Sequence, residues 1–148
     1  MNKIYAFLII IPLIAVLFYK TLTFYEYDTK QRYVKNEVDS AAHKVMITGV
    51  MTIMDREELL GKLSKLGNFR ASNISIKCGN LQPDGTVGRL REYVLGSLLN
   101  RGEIFSIYVE SENESIFSEM EVNSHNEGNG LHYRAKAICR VEKNNWED

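Results

Sequence analysis

The stretch "IYAFLIIIPLIAVLFYK", residues 4–20, decides how the rest of this chain is read. As an α-helix Ile4 to Tyr19 extends about 24 Å, somewhat short of a hydrocarbon core of ~30 Å. Lys20 can snorkel, and the apolar run resumes as "TLTFY", residues 21–25. Counted to Tyr25 the segment can span a bilayer with some tilt. Tyr5 stands near one end and Tyr19, Phe24, Tyr25 and Tyr27 near the other, where interfacial aromatics belong. Pro12 leaves the Leu8 carbonyl without its helical partner, a kink that membrane helices tolerate. A cleavable signal peptide needs small residues after the run, whereas "KTLTFYE" (20–26) is bulky. Residues 1–27 are therefore expected to stay as a transmembrane anchor, with residues 28–148 as stem and head.

No Gly or Pro interrupts the chain from Phe24 until Gly49. Phe24, Tyr27, Gln31, Val34, Val38, Ala41 or Ala42, and Val45 recur at spacings of three and four, one stripe of a helix. The first 48 residues thus read as one helix, apolar all round at first and amphipathic afterwards. A second helix follows. Thr52 and Asp55 have the spacing of a capping box, Leu59, Leu60, Leu63 and Leu66 supply an apolar face, and Gly67 stands where a left-handed C-terminal cap is expected.

The remainder alternates as strands do. In "NISIKCG" (73–79) Ile74, Ile76 and Cys78 share a face; "QPDGT" (82–86) is a turn; "EIFSIYVES" (103–111) aligns Phe105, Ile107 and Val109. "GLHYRAKAICRVE" (130–142) alternates throughout, and "SIFSEMEV" (115–122) reads as a weaker strand. In "GRLREYVLGSLLNRG" (88–102) Leu90, Val94 and Leu98 fit a short amphipathic helix better than a strand. The fold class expected is α+β, a long helix laid against a small antiparallel sheet.

Composition narrows the function. Aromatic residues at 10% and apolar residues at 45% are ordinary for a folded domain. Net charge is −1 for the chain and about −2 for residues 28–148, so no basic face invites nucleic acid. The two cysteines, Cys78 and Cys139, form no CxxC and no Cys/His cluster. In an extracytoplasmic domain they could join as one disulfide, or they could be two buried thiols. His43, His125 and His132 lack companions at metal spacing. The glutamates of "ESENESIFSEMEV" (110–122) lack the loop spacing of a calcium site and suit a solvated strand edge. Asn73-Ile-Ser75 and Asn113-Glu-Ser115 match the glycosylation sequon, a pattern short enough to arise by chance. No phosphate-binding glycine loop and no nucleophile–base pair can be placed, so no catalytic, metal or cofactor residue is assigned.

A membrane helix running into "DTKQRYVKNEVDSAAHKVMITGV" (28–50), with its paired Ala41-Ala42, resembles TadE-like pilins and pseudopilins of tight-adherence pilus systems. Gly49 ending the stem, a short charged helix ending "KLG" (65–67), the strands that follow and the closing "GLHYRAKAICRVEKN" (130–144) are similar too. The resemblance implies a non-catalytic membrane-anchored minor pilin or assembly protein. Its partners would be membrane lipid and other pilin-like or assembly proteins met through the N-terminal helix, with Ala41 and Ala42 permitting close helix approach. It also implies a head outside the cytoplasm. Lys20, Lys30, Arg32 and Lys35 against Lys3 alone would by themselves place the body inside. Substrates of the prepilin peptidase carry a small residue before the apolar run and an acid within it. Here Met1-Asn2-Lys3 precedes an acid-free run, and Glu26-Tyr27 lies beyond it, which fits an unprocessed assembly factor. The alternative is a single-pass binding or sensor module whose head recognises a protein partner.

Overall fold

A computed structural model describes residues 2–122 and 130–143. Its elements are α1 (Asn2–Thr48), α2 (Ile53–Leu63), a 3-10 turn (Ala71–Asn73), β1 (Ile74–Asn80), β2 (Arg91–Glu92), β3 (Glu103–Glu114), α3 (Ile116–Val122) and β4 (His132–Arg140). The four strands form one antiparallel sheet in the order β2-β1-β3-β4. The architecture is α+β, with a long N-terminal helix, a small sheet and short helices.

One face of the sheet is apolar because its registers align alternating apolar residues. Ile76, Ile107 and Ala137 form one row and Cys78, Phe105 and Cys139 the next. Val34, Val38, Ala42 and Val45 of α1 and Leu59 and Leu63 of α2 close over that face. Phe105, Ile107, Val34 and Leu63 are completely buried, each worth about 1.5–3 kcal/mol against exposure to water. The outer face carries Ser75, Tyr108 and Lys136, then Lys77, Ser106 and Ile138.

Strand β4 is an edge, and α1 runs along it. The Arg134 N–H donates to Gln31 Oε1 at 3.1 Å and Gln31 Nε2 donates back to the Arg134 carbonyl. Farther along, the Glu142 N–H reaches the Met46 carbonyl at 2.8 Å. The glutamine side chain thus stands in for a neighbouring strand at one point of an edge that would otherwise invite pairing.

Helix α1 ends where a glycine lets it. Gly49 takes φ +71°, its N–H closes on the Val45 carbonyl at 2.7 Å, and its own carbonyl accepts the Leu99 N–H at 2.8 Å. Helix α2 opens with the expected box: the Asp55 N–H donates to Thr52 Oγ1 at 3.1 Å and the Thr52 N–H to Asp55 Oδ2 at 2.9 Å.

Three local expectations are corrected. Gly67 has no positive φ; α2 closes through a right-handed Ser64 at φ −63°. A Cβ at Gly67 would come within 3.2 Å of Phe69 and 3.3 Å of Tyr133, so close packing explains that glycine. Residues 88–102 form no helix, only the two-residue β2 and turns. Gly96 at φ +84° breaks the spacing on which the helical reading relied, and Val94 and Leu98 are exposed. Ile116–Val122 is the helix α3 instead of a strand. Ser115 caps it, Oγ accepting the Ser118 N–H at 3.2 Å, and a buried hydroxyl at an N-cap outweighs weak strand propensity.

Candidate functional site

The most unusual surface is the first half of α1. From Ile4 to Leu22 its large apolar side chains are at least 46% exposed, and they touch nothing that withdraws them from water. Its polar groups are satisfied internally: Thr21 Oγ1 donates to the Leu17 carbonyl at 2.9 Å, and Thr23 Oγ1 lies 3.1 and 3.0 Å from the carbonyls of Tyr19 and Lys20. By length and composition this helix can cross a membrane.

Where α1 meets the head, aromatic rings gather. Phe24 meets Phe117 of α3 edge-on at 5.3 Å between centroids, Tyr27 stacks on Phe117 at 6.4 Å and on Tyr133 of β4 at 5.4 Å. Burial raises the Tyr133 phenol above its usual range. Polar anchors hold α3 there. The Leu131 N–H donates to Ser118 Oγ at 2.8 Å, Ser118 Oγ donates to Glu114 Oε2 at 2.9 Å, and the Ser115 N–H reaches the Leu131 carbonyl at 2.9 Å. The sequence reading missed this collar because it made residues 115–122 a strand; Ser115 as an N-cap was the available signal.

At the opposite end of the head the α1–α2 connection packs against residues 93–99. Tyr93 Oη accepts the Met51 N–H at 3.0 Å and donates to the Ser97 carbonyl at 2.5 Å, and the Gly96 N–H reaches the Met51 carbonyl at 2.8 Å. Around this junction Met54 is 78%, Val94 72% and Leu98 68% exposed, forming an apolar tip. Leu90, Val94 and Leu98 share no helix face: Leu90 is half-buried beside Gly79, while Val94 and Leu98 are exposed.

Between α1 and α2 lies a cleft of about 110 Å³ lined by Glu37, Ala41, Lys44, Asp55, Glu58 and Lys62 among others. Lys44 Nζ sits 2.5 Å from Asp55 Oδ1. That ammonium and the Thr52 N–H hold the Asp55 carboxyl down to about 2, and Asp55 raises Lys44 in return. Lys62 bridges Glu58 at 3.1 Å and Glu37 at 3.4 Å. The cleft is an ion-paired seam that ties two helices.

The paired alanines face inward. Ala42 is 3% exposed and its carbonyl accepts the Cys139 Sγ–H at 3.3 Å, while Ala41 is half-buried at the cleft. Within the chain, the close approach they permit is that of α1 to its own sheet and to α2. The disulfide alternative fails. Cys78 and Cys139 are free thiols on opposite sides of Phe105 in one cross-strand row. Two strand spacings put their Cα atoms about 9.5 Å apart, beyond the ~7 Å a disulfide can bridge. Burial lifts the Cys139 thiol to about 11, and the Arg91 Nε–H lies 3.4 Å from Cys78 Sγ.

His43 is exposed on α1. His132 Nδ1 lies 2.9 Å from the Ser111 carbonyl, which makes it the protonated nitrogen. His125 lies outside the described residues. Among the described residues no three His, Cys, Asp or Glu side chains converge as a metal site requires. Comparisons with models of protein families, with curated proteins and with solved structures return no match.

Proposed function

We propose that this chain is a membrane-anchored, non-catalytic protein of the pilus-assembly kind, a minor pilin-like subunit or an assembly factor. Its α1 crosses the cell membrane once, and its head stands outside the cytoplasm. One observation carries the reading. A single unbroken helix serves as a lipid-compatible rod in its first half and as the core helix of an α+β head in its second. That plan transmits position from membrane to head without a hinge, as a stem in an assembly requires. The TadE-like sequence pattern described above supports the same assignment.

The apolar tip favours a second reading, a single-pass binding or sensor module that meets a protein partner through Met54, Val94 and Leu98. The two readings share the anchor and differ in which surface does the work.

Topology is tested first, with cysteines introduced at exposed Lys77 or Val94 and a membrane-impermeant thiol reagent applied to intact cells. Labelling supports a head outside. Protection at both sites, relieved by lysis, places the head in the cytoplasm and removes the pilus-type reading. Copurification then separates the two functions. Loss of partners after Val94→Lys and Leu98→Lys favours the binding module, whereas loss after Leu13→Lys with the tip intact favours the stem.

A further inference from the structure

We propose that the base of the head, α3 together with the Phe24–Tyr27 turn of α1, sits within the lipid interface, with Ile116 and Phe117 at the boundary between acyl chains and headgroups. This rests on the membrane-spanning reading of α1.

The argument begins with length. A hydrocarbon core of ~30 Å takes about 20 helical residues at 1.5 Å each. Counted from Ile4, the count ends at Thr23. Thr23 is already covered by the head, at 7% exposed, and the next residue, Phe24, packs on Phe117. No linker separates the end of the span from α3. A tilt of ~20° or a bend at Pro12 draws more residues into the core and carries α3 deeper.

The chemistry of this surface agrees with its depth. No charged side chain occurs between Lys20 and Glu26. Thr21 and Thr23 turn their hydroxyls back onto helix carbonyls and need no water there. Ile116 is 51% exposed on α3 and Phe117 is half-buried beside Phe24 and Tyr27. Aromatic rings at this depth belong to the interfacial belt. The first ion pairs above it, Glu26–Lys30 at 2.6 Å and Asp28–Arg32 at 2.9 Å, then fall at headgroup level. The occupant of this face is therefore lipid: it is continuous with the span, and the exposed Glu119, one turn beyond Ile116 on α3, sets its limit at headgroup level.

The test uses the full chain in phosphatidylcholine–phosphatidylglycerol vesicles, in a Trp146→Phe background. Single tryptophans replace Leu13 in the span, Ile116 in the collar and Val94 at the tip, and brominated lipids quench those in contact with acyl chains. Leu13→Trp should be quenched most by bromines near the bilayer centre. Ile116→Trp should lose about half its emission to bromines near the headgroups, with a blue-shifted maximum, and Val94→Trp should lose none. Glu119→Trp, at an exposed position of the same helix, provides a second reporter if Ile116→Trp lowers the circular dichroism of the head. Quenching at Leu13 but at neither collar position overturns the inference and leaves the span standing. No quenching at Leu13 overturns both. Equal quenching at Val94 and Ile116 also overturns it, because the head would then lie flat on the bilayer.

Discussion

Replacing Asp55 with alanine isolates the seam between α1 and α2. In the native chain Asp55 accepts the Thr52 N–H at 2.9 Å, lies at the positive end of α2, and meets Lys44 Nζ at 2.5 Å. The lost acceptor and the lost helix-dipole interaction together cost about 1 kcal/mol. The Lys44 attraction adds less, because its ammonium is solvated and screened. For a domain of this size about 1 kcal/mol lowers Tm by about 3–5 °C. The effect should depend on pH. Asp55 is held at about 2 in the folded chain against an ordinary 3.8, so folding favours its ionised form. Its contribution is complete above pH ~4 and is lost as pH falls through about 2. Thermal unfolding in detergent micelles, followed by far-UV circular dichroism at pH 7 and near pH 2, reads the difference between native chain and variant. Other carboxylates titrate equally in both and cancel. A difference that persists undiminished near pH 2, or is absent at pH 7, refutes the assignment of Asp55 as a charged cap.

Gly49→Ala should destabilise the head by about 1–3 kcal/mol, since φ is +71° and the new Cβ would lie 3.1 Å from the Leu99 carbonyl. Gly61→Ala, with open space around it inside α2, should instead raise stability by about 0.5–1 kcal/mol in the same melts. Neither Cys78 nor Cys139 should react with a thiol reagent at neutral pH until the head unfolds, because one is buried and the other is lifted to about 11; rapid labelling of native protein contradicts this. Phe117→Ala should loosen α3 from α1 by removing ring contacts to Phe24 and Tyr27. Faster amide exchange confined to α3 and residues 131–133 is the expected sign.

Much of the architecture was legible because periodicity alone specified it. The stripe Tyr27, Gln31, Val34, Val38, Ala42 and Val45 covers the sheet as its spacing implied, and Thr52 with Asp55 forms the box that their separation announced. Alternation in residues 74–78, 103–109 and 131–141 marked the three long strands, whose inner residues are the core. Local chemistry was misjudged where two signals competed. Gly96 cut a helical spacing into turns, and the Ser115 hydroxyl started a helix in a segment that alternates like a strand.

The sequence by itself determined the long apolar helix, its continuation into an amphipathic stem, and the α+β class, because each follows from which residues recur every two or every three to four positions. Tertiary structure alone decided what those elements meet. Cys78 and Cys139 look like a possible pair until the register puts Phe105 between them. Nothing in the spacing of Ala41 and Ala42 says that the sheet covers Ala42 while Ala41 stays half-buried at the α2 cleft. The aromatic collar joins Phe24, Phe117 and Tyr133, residues separated by more than a hundred positions at their extremes, and no local period relates them. Spacing along a chain reports which face a residue occupies; only packing reports what lies across from it.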